Sequence, residues 1–122
     1  MNSIQCYIAL QNFKKLKKKT TRFEEIKKRY NEEFGLKNTS NHLYRINVGD
    51  RNSFMNKMKK SNIQTGIHYK ALHKVDCYKN TELSLPKSEI ESRTTVSLPY
   101  HEKLTDEQID YIIKEVKPYV NA

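Results

Sequence analysis

Long apolar runs and closely spaced cysteines are both missing from this chain of 122 residues. Its residues are 36% hydrophobic and 30% charged, with a mean hydropathy of −0.88. No segment is long and apolar enough to indicate a membrane span, and MNSIQCYIAL has no basic stretch before its apolar residues, so no signal peptide is indicated. Cys6 and Cys77 match neither a disulfide framework nor a CxxC motif. We therefore expect a cytoplasmic protein with reduced thiols and no membrane partner.

Acidic residues are the minority of the charged ones. Lys and Arg number 23 against 14 Asp and Glu, which gives a formal net charge of +9 and a pI near 9.5. Such a balance is compatible with nucleic acid, anionic lipid or phosphorylated metabolites as partners, and it selects none of them. The length allows one modest core.

Glycine and proline are absent between Asn2 and Phe34. Apolar residues there recur at steps of three and four, with one wider gap, which predicts a helix. They are Ile4, Ile8, Phe13, Leu16, Phe23, Ile26, Tyr30 and Phe34. Gly35 follows as a helix end, and the β-branched pair Thr20-Thr21 leaves open a bend or two helices. A continuous helix would span roughly 50 Å. The rest of the chain is too short to cover it, so another domain or subunit is expected to do so.

The remaining sequence predicts a small two-layer α/β unit with a three-stranded sheet. The predicted strands cover 42–48, 62–69 and 95–100. A helix from about 54 to 60, capped by Asp50 or Asn52, follows the first strand. A loop with one helical turn at most covers 70–86, and a short helix covers 88–94. The last helix begins after Thr105 as N-cap.

The basic run over 14–29, KKLKKKTTRFEEIKKR, has two interpretations. Its lysines and interleaved apolar residues could bind nucleic-acid phosphates through a helix, which needs no specific fingerprint. A solvated helix face is the alternative, and no DNA- or RNA-binding motif occurs in the chain. A basic binding module therefore remains the second hypothesis, with nucleic acid as a less favoured partner.

The stretch IQTGIHYKALH, residues 63–73, carries the polar groups that could form a site. His68, His73, Asp76 and Cys77 are possible zinc ligands, but their spacing fits no standard cluster, so we predict no metal site. No nucleophile motif occurs either, and the acidic side chains fall mostly at helix caps or surfaces, so we predict no catalytic residue.

A binding role for the same stretch is open from the residues alone. His68 and Tyr69 end a predicted strand, where α/β folds place sites, and Lys70 suits a phosphate. Gly66 would permit close backbone approach. The alternative is a strand end whose tyrosine only packs.

Three stretches in the same order resemble the C-terminal third of the DegT/StrS family. They are MNSIQCYIALQNFKKL, NIQTGIHYKALHKVDCYK and LSLPYHEKLTDEQIDYIIKEVKPYV, of which GIHY and the SLP…LTDEQIDYI close are the most specific. The family consists of aminotransferases that use pyridoxal phosphate (PLP) and act on keto-sugar nucleotides. The resemblance covers essentially the whole chain.

This resemblance implies the C-terminal small domain of a fold-type I PLP transferase, preceded by a long helical segment. Residues 1–36 would be the end of the large domain and the connecting helix, and 37–122 the small domain. It implies His68, Tyr69 and Lys70 as contacts to a sugar nucleotide, glutamate or glutamine as amino donor, and a homodimer. The large domain and the dimer partner would cover the long helix.

Two departures from the family pattern qualify what the resemblance implies. Many relatives have proline after the His-Tyr pair, where this chain has Lys70-Ala71. The family's Schiff-base lysine, the acid that pairs with the pyridine nitrogen, and the phosphate loop all lie upstream of the part matching MNSIQC. We therefore expect the C-terminal part of such an enzyme, with no catalytic or cofactor-binding residue of its own and inactive alone. A third hypothesis is a degraded gene product that folds poorly because the apolar stripe of residues 4–34 lacks its partner.

Overall fold

The structure is a computed structural model that describes residues 2–78 and 83–120. Within them, four helices and two strands follow in the order α1 (Ser3–Phe34), β1 (Tyr44–Asn47), α2 (Arg51–Lys60), α3 (Pro86–Thr94), β2 (Thr95–Leu98) and α4 (Asp106–Val120). Two short 3₁₀ turns, Leu72–Lys74 and Asp76–Tyr78, lie between α2 and α3. The predicted α/β class is confirmed. None of the described helices combines the length and apolar character that a membrane span needs.

Helix α1 is continuous through Thr20-Thr21, so the bend that the sequence left open is not seen. The Thr21 hydroxyl donates to the Lys17 carbonyl (3.1 Å), which keeps this polar group satisfied inside the helix. Asn2 and Gln5 form a capping box at the start. Gly35 ends the helix with φ 66°, a left-handed conformation that glycine adopts without a Cβ penalty, as its position predicted.

The core lies between the second half of α1, the two strands, α2 and α4. Tyr30 of α1 meets Phe34 (ring centroids 5.5 Å) and Tyr44 of β1 (4.9 Å). The α4 residues that the sequence predicted to be buried do contribute to this core. They are Ile109, Ile112, Ile113 and Val116. The hydrophobic effect therefore joins the carboxyl-terminal half of α1 to the α/β unit as one packed body.

The amino-terminal half of α1 is not covered by the described residues. Ile4 is 70% exposed and Phe13 72%, and Ile8 and Leu16 are also largely exposed. Ile26, on the same apolar stripe but farther along, is fully buried. Exposed apolar area of this kind is typical of a surface that meets another domain or chain. What covers it remains a prediction.

Within residues 2–78 and 83–120 the sheet contains two strands, and the prediction of three was wrong. β1 and β2 pair antiparallel, with Ile46 opposite Val96. Residues 62–69 add a single bridge, in which Gly66 and Ser97 exchange backbone hydrogen bonds of 3.0 and 2.8 Å. Two residues later the His68 side chain bonds to the Ser97 hydroxyl. The backbone pairing with β2 therefore ends at Gly66, and a side-chain hydrogen bond between His68 and Ser97 follows it.

Caps set the other helix starts. Asp50, one of the two predicted caps, accepts from the Ser53 amide (3.0 Å) at α2. Thr105 and Gln108 form reciprocal hydrogen bonds at α4, which confirms Thr105 as N-cap. α3 begins at Pro86, two residues before the predicted start, because proline suits the first helical position.

Candidate functional site

The candidate site is the 66–78 loop, which runs from the Gly66 bridge through the two 3₁₀ turns. Its first anchor is Ser97 of β2, only 4% exposed, whose backbone pairs with Gly66. Ser97 has a second contact, because its Oγ lies 3.0 Å from Nδ1 of His68. One buried serine therefore fixes both the backbone at Gly66 and the imidazole two residues later.

The absence of a side chain at Gly66 leaves room for the His68 ring. A Cβ at residue 66 would lie 2.5 Å from Cε1 and 3.2 Å from Nδ1 of that ring. Carbon atoms in contact are about 3.5–4.0 Å apart, so no other residue could occupy this position with the ring unmoved. The sequence predicted that Gly66 would permit close backbone approach, and the group that the structure places close to it is the side chain of His68.

The predicted ligand contacts lie next to one another at the surface of this loop. His68 is partly exposed, Tyr69 is 70% exposed and Lys70 is exposed. The His68 and Tyr69 rings meet edge to face, with centroids 5.2 Å apart. The loop thus carries an imidazole, a phenol and an ammonium that are accessible to a ligand.

Burial alternates beyond Lys70. Ala71 and His73 are buried, whereas Leu72 and Lys74 are exposed. The Ala71 amide donates to Oγ of Ser92 on α3 (2.9 Å). The buried residues therefore attach the loop to the body.

His73 meets a carboxylate. Its Nε2 lies 3.0 Å from Oε1 of Glu89 on α3, and Lys74 Nζ lies 3.4 Å from the same oxygen. The hydrogen bond from His73 holds the pKa of Glu89 below its ordinary value, and the Leu85 amide and Lys74 act in the same direction. Glu89 is therefore ionised at neutral pH and accepts from an Nε2–H of His73.

Sequence reasoning missed Ser97, Ser92 and Glu89, and it considered His73 only as a metal ligand. No sequence signal identified them, because the burial that makes a polar residue informative is known only from the structure. β2 is buried along its whole length, yet it alternates Thr95 and Ser97 with apolar residues. Buried polar side chains need hydrogen-bond partners, which indicates that this face meets another polar segment.

The four residues considered as zinc ligands do not assemble into one cluster. His73 is engaged with Glu89, and His68 with Ser97. Cys77 is exposed. No group of three or more His, Cys, Asp or Glu side chains within the described ranges has an arrangement that could hold a metal ion.

Comparison with known proteins gives one family. The family model described as the DegT/DnrJ/EryC1/StrS aminotransferase family matches residues 1–117. An uncharacterized protein of Methanocaldococcus jannaschii is 32% identical over 143 aligned positions, which cover 99% of this chain and 37% of that protein.

Solved structures give the same result for the fold. An aminotransferase of this family from Brucella abortus matches with a TM-score of 0.85 at 24% identity, over 100% of this chain and 36% of the other. A candidate sugar aminotransferase of Streptococcus pneumoniae, solved in its PLP form, matches with a TM-score of 0.84 at 27% identity, over 97% and 35%. The chain spans about a third of the length of the relatives it matches.

The lysines that the structure describes do not fit the site that PLP requires. A Schiff-base lysine needs a free amine in an enclosed site. Among the described lysines Lys27 is the buried one, and its Nζ already contacts Glu24 (2.8 Å), Asn41 (2.8 Å) and the Thr39 carbonyl (3.2 Å). The other described lysines lie at the surface. The described residues therefore offer no lysine for the aldehyde of the cofactor.

Proposed function

Because this chain belongs to the DegT/DnrJ/EryC1/StrS aminotransferase family, we propose that it is the C-terminal part of a PLP-dependent aminotransferase. Its substrates would be keto-sugar nucleotides of nucleotide-sugar and surface polysaccharide biosynthesis, with glutamate or glutamine as amino donor. Two findings support the proposal. The chain matches about a third of each relative, and one of those relatives is a candidate sugar aminotransferase in its PLP form.

The observation that carries this proposal is the anchored loop with its three accessible groups. The His68 imidazole is oriented by Ser97 and can hydrogen-bond a sugar hydroxyl. The exposed Tyr69 offers a flat apolar face and a hydroxyl. Lys70 offers a mobile positive charge suited to the phosphates of a nucleotide. Together they form one wall of a substrate site.

This chain is assigned no catalytic or cofactor-binding residue. PLP, where a relative holds it, supplies the electron sink for transfer of the amino group. The described lysines do not fit that role here, so the chain alone would be inactive. Its contribution is substrate contact and a packing surface.

The domain assignment follows from the same proposal. Residues 1–36 would complete a large domain and lead into the small domain, 37–122. The uncovered apolar residues Ile4, Ile8 and Phe13 would pack against that large domain or a homodimer partner. The enzyme would be cytoplasmic.

The first test is the DNA sequence immediately upstream of the Met1 codon in the native source. An in-frame continuation that encodes a lysine-bearing large domain supports the proposal. A stop codon directly upstream would contradict the assignment as part of a larger aminotransferase.

The second test examines the loop in the longer protein that such a frame encodes. Lys70→Ala should raise KM for the sugar nucleotide about tenfold, because it removes a charged contact. Lys114→Ala, an exposed lysine on α4, is the matched control and should leave KM unchanged. Equal KM values for both variants would remove Lys70 from the substrate site.

A basic binding module is the second candidate function. The amino-terminal half of α1 exposes four lysines beside apolar side chains. They are Lys14, Lys15, Lys17 and Lys18. Lysines that contact phosphates would make binding to an unrelated oligonucleotide fall steeply with added salt. No binding at low salt would exclude this function.

A further inference from the structure

Helix α3 is attached to the 66–78 loop by polar contacts. No residue of α3 is buried, so it has no apolar anchor of its own. Yet Glu89 and Ser92, three residues apart and therefore on neighbouring turns of one helix face, both reach the loop. His73, the loop residue that meets Glu89, is only 6% exposed. A buried imidazole needs a polar partner, and Glu89 supplies it.

The contacts fall on alternate loop residues. Ala71 is held through its amide by Ser92, and His73 is held through its ring by Glu89. Tyr69, Lys70 and Leu72 lie before and between them and are exposed. Leu72–Lys74 is a 3₁₀ turn, in which successive side chains point about 120° apart, so holding His73 inward directs its neighbours away from the body.

Glu89 is itself well placed to hold this position. It lies in the first turn of α3, where a negative charge is favoured by the helix dipole. Its Oε1 also accepts from the Leu85 amide at the start of that helix (3.4 Å). The acceptor for His73 is therefore oriented by its own helix rather than free to rotate.

We propose that His73, Glu89 and Ser92 are positioning residues that hold the 66–78 loop in the conformation that exposes Tyr69 and Lys70. The inference rests on the proposed function in one respect, namely that Tyr69 and Lys70 are exposed in order to contact substrate. The attachment itself depends only on the contacts within this chain. Its failure can therefore be measured without any substrate.

The experiment is amide hydrogen exchange, resolved by residue, on the chain and its variants. The readout is three hydrogen-bonded amides in the middle of the loop, those of Ala71, Lys74 and Val75. His73→Leu fills the space of the imidazole but has no N–H group to donate to Glu89. His73→Gln retains an N–H at the position of Nε2. Exchange of these amides should rise about tenfold in the leucine variant and stay near wild type in the glutamine variant.

A matched pair of acid substitutions completes the design. Glu89→Ala removes the acceptor and should speed loop exchange about tenfold. Glu33→Ala removes a surface ion pair to Lys117 (2.9 Å) elsewhere and should leave the loop unchanged. Exchange of the Ile46 amide in β1 reports global opening, so a variant that merely unfolds is recognised.

The outcomes separate the two claims. Equal loop exchange in wild type, His73→Leu and Glu89→Ala would overturn the positioning role. Loss of protection in His73→Leu that His73→Gln does not rescue would also overturn it, since packing alone would then explain the effect. The loop variants could behave as expected while the protein encoded by the longer reading frame transfers no amino group to any keto-sugar nucleotide. That result would support the positioning role and contradict the proposed function.

Discussion

Replacing Gly66 with alanine should displace one side chain and leave the fold intact. The added Cβ would lie 2.5 Å from Cε1 of His68, about 1 Å short of an ordinary carbon contact. The clash is with the outer end of a side chain rather than with backbone, so the ring can turn away. A shift of that size would stretch the 3.0 Å contact with Ser97 beyond hydrogen-bonding distance.

The free energy of unfolding should change little. Losing one neutral hydrogen bond costs about 1 kcal/mol. Gly66 does not have a positive φ, so alanine also restricts the unfolded chain and returns roughly 0.4–1 kcal/mol. The two contributions nearly cancel, which gives a net change under about 1 kcal/mol.

Gly49→Ala is the matched control, because a Cβ there meets nothing within 4 Å and its φ is likewise not positive. Urea unfolding of both variants measures stability, and the imidazole resonances of His68 report the ring. The Gly66 variant should shift those resonances, and the Gly49 variant should not.

A double-mutant cycle tests the reasoning most directly. If Gly66→Ala acts by breaking the contact between His68 and Ser97, then Ser97→Ala should cost less in the Gly66→Ala background than in wild type. Additive effects, or a loss of more than about 3 kcal/mol on Gly66→Ala alone, would refute the proposed displacement of the ring.

Four further substitutions test the fold. Ile26→Ala should lower the free energy of unfolding by about 2–5 kcal/mol because Ile26 is fully buried. Phe13→Ala on the same helix should change it by under about 0.5 kcal/mol in the urea melt, and a large loss would mean that something covers that half. Burial raises the pKa of Tyr44 to about 12 from an ordinary 10. The neutral phenol therefore stabilises the fold fully below pH 10, and this stabilisation is lost between pH 10 and 12. Tyr44→Phe should flatten that part of a profile of unfolding free energy against pH, and an unchanged slope would contradict this. The hydrogen bond from Arg22 lowers the pKa of Asp106 from an ordinary 3.8. The ionised carboxylate therefore stabilises the fold above that pH, and this stabilisation is lost as the pH falls below it. Asp106→Asn should reduce the loss of unfolding free energy in acid in the same measurement, and an equal loss would count against the ion pair.

Much of the helical structure could be predicted because its signals are local. Gly35 ends α1, Asp50 caps α2 and Thr105 caps α4, each through bonds to residues at most four positions away. The predicted strand over 62–69 was wrong for the opposite reason. Alternation in 62–69 predicts an extended segment, but pairing depends on β2, about thirty residues later. The alternation within eight residues does not indicate which later segment of the chain the strand would pair with.

The candidate site divides in the same way. His68, Tyr69 and Lys70 were identifiable from the loop that resembles the family, and their role as substrate contacts remains a prediction. Their supports were not identifiable, since Ser97 and Glu89 come from other elements. A buried serine or a surface glutamate has no distinguishing sequence pattern until its partner is known.

The sequence by itself determined the helices, their caps, the buried face of α4 and the family, because periodicity, capping and motifs are encoded within a few residues of one another. Only the tertiary structure decided that the sheet of the described residues has two strands, which half of α1 those residues cover, and that the loop is held by Ser97, Ser92 and Glu89. The loop contacts join residues 16 to 29 positions apart, and the two strands pair residues 48 to 54 positions apart. Hydrogen bonding and burial at that range are set by the packing of the whole chain.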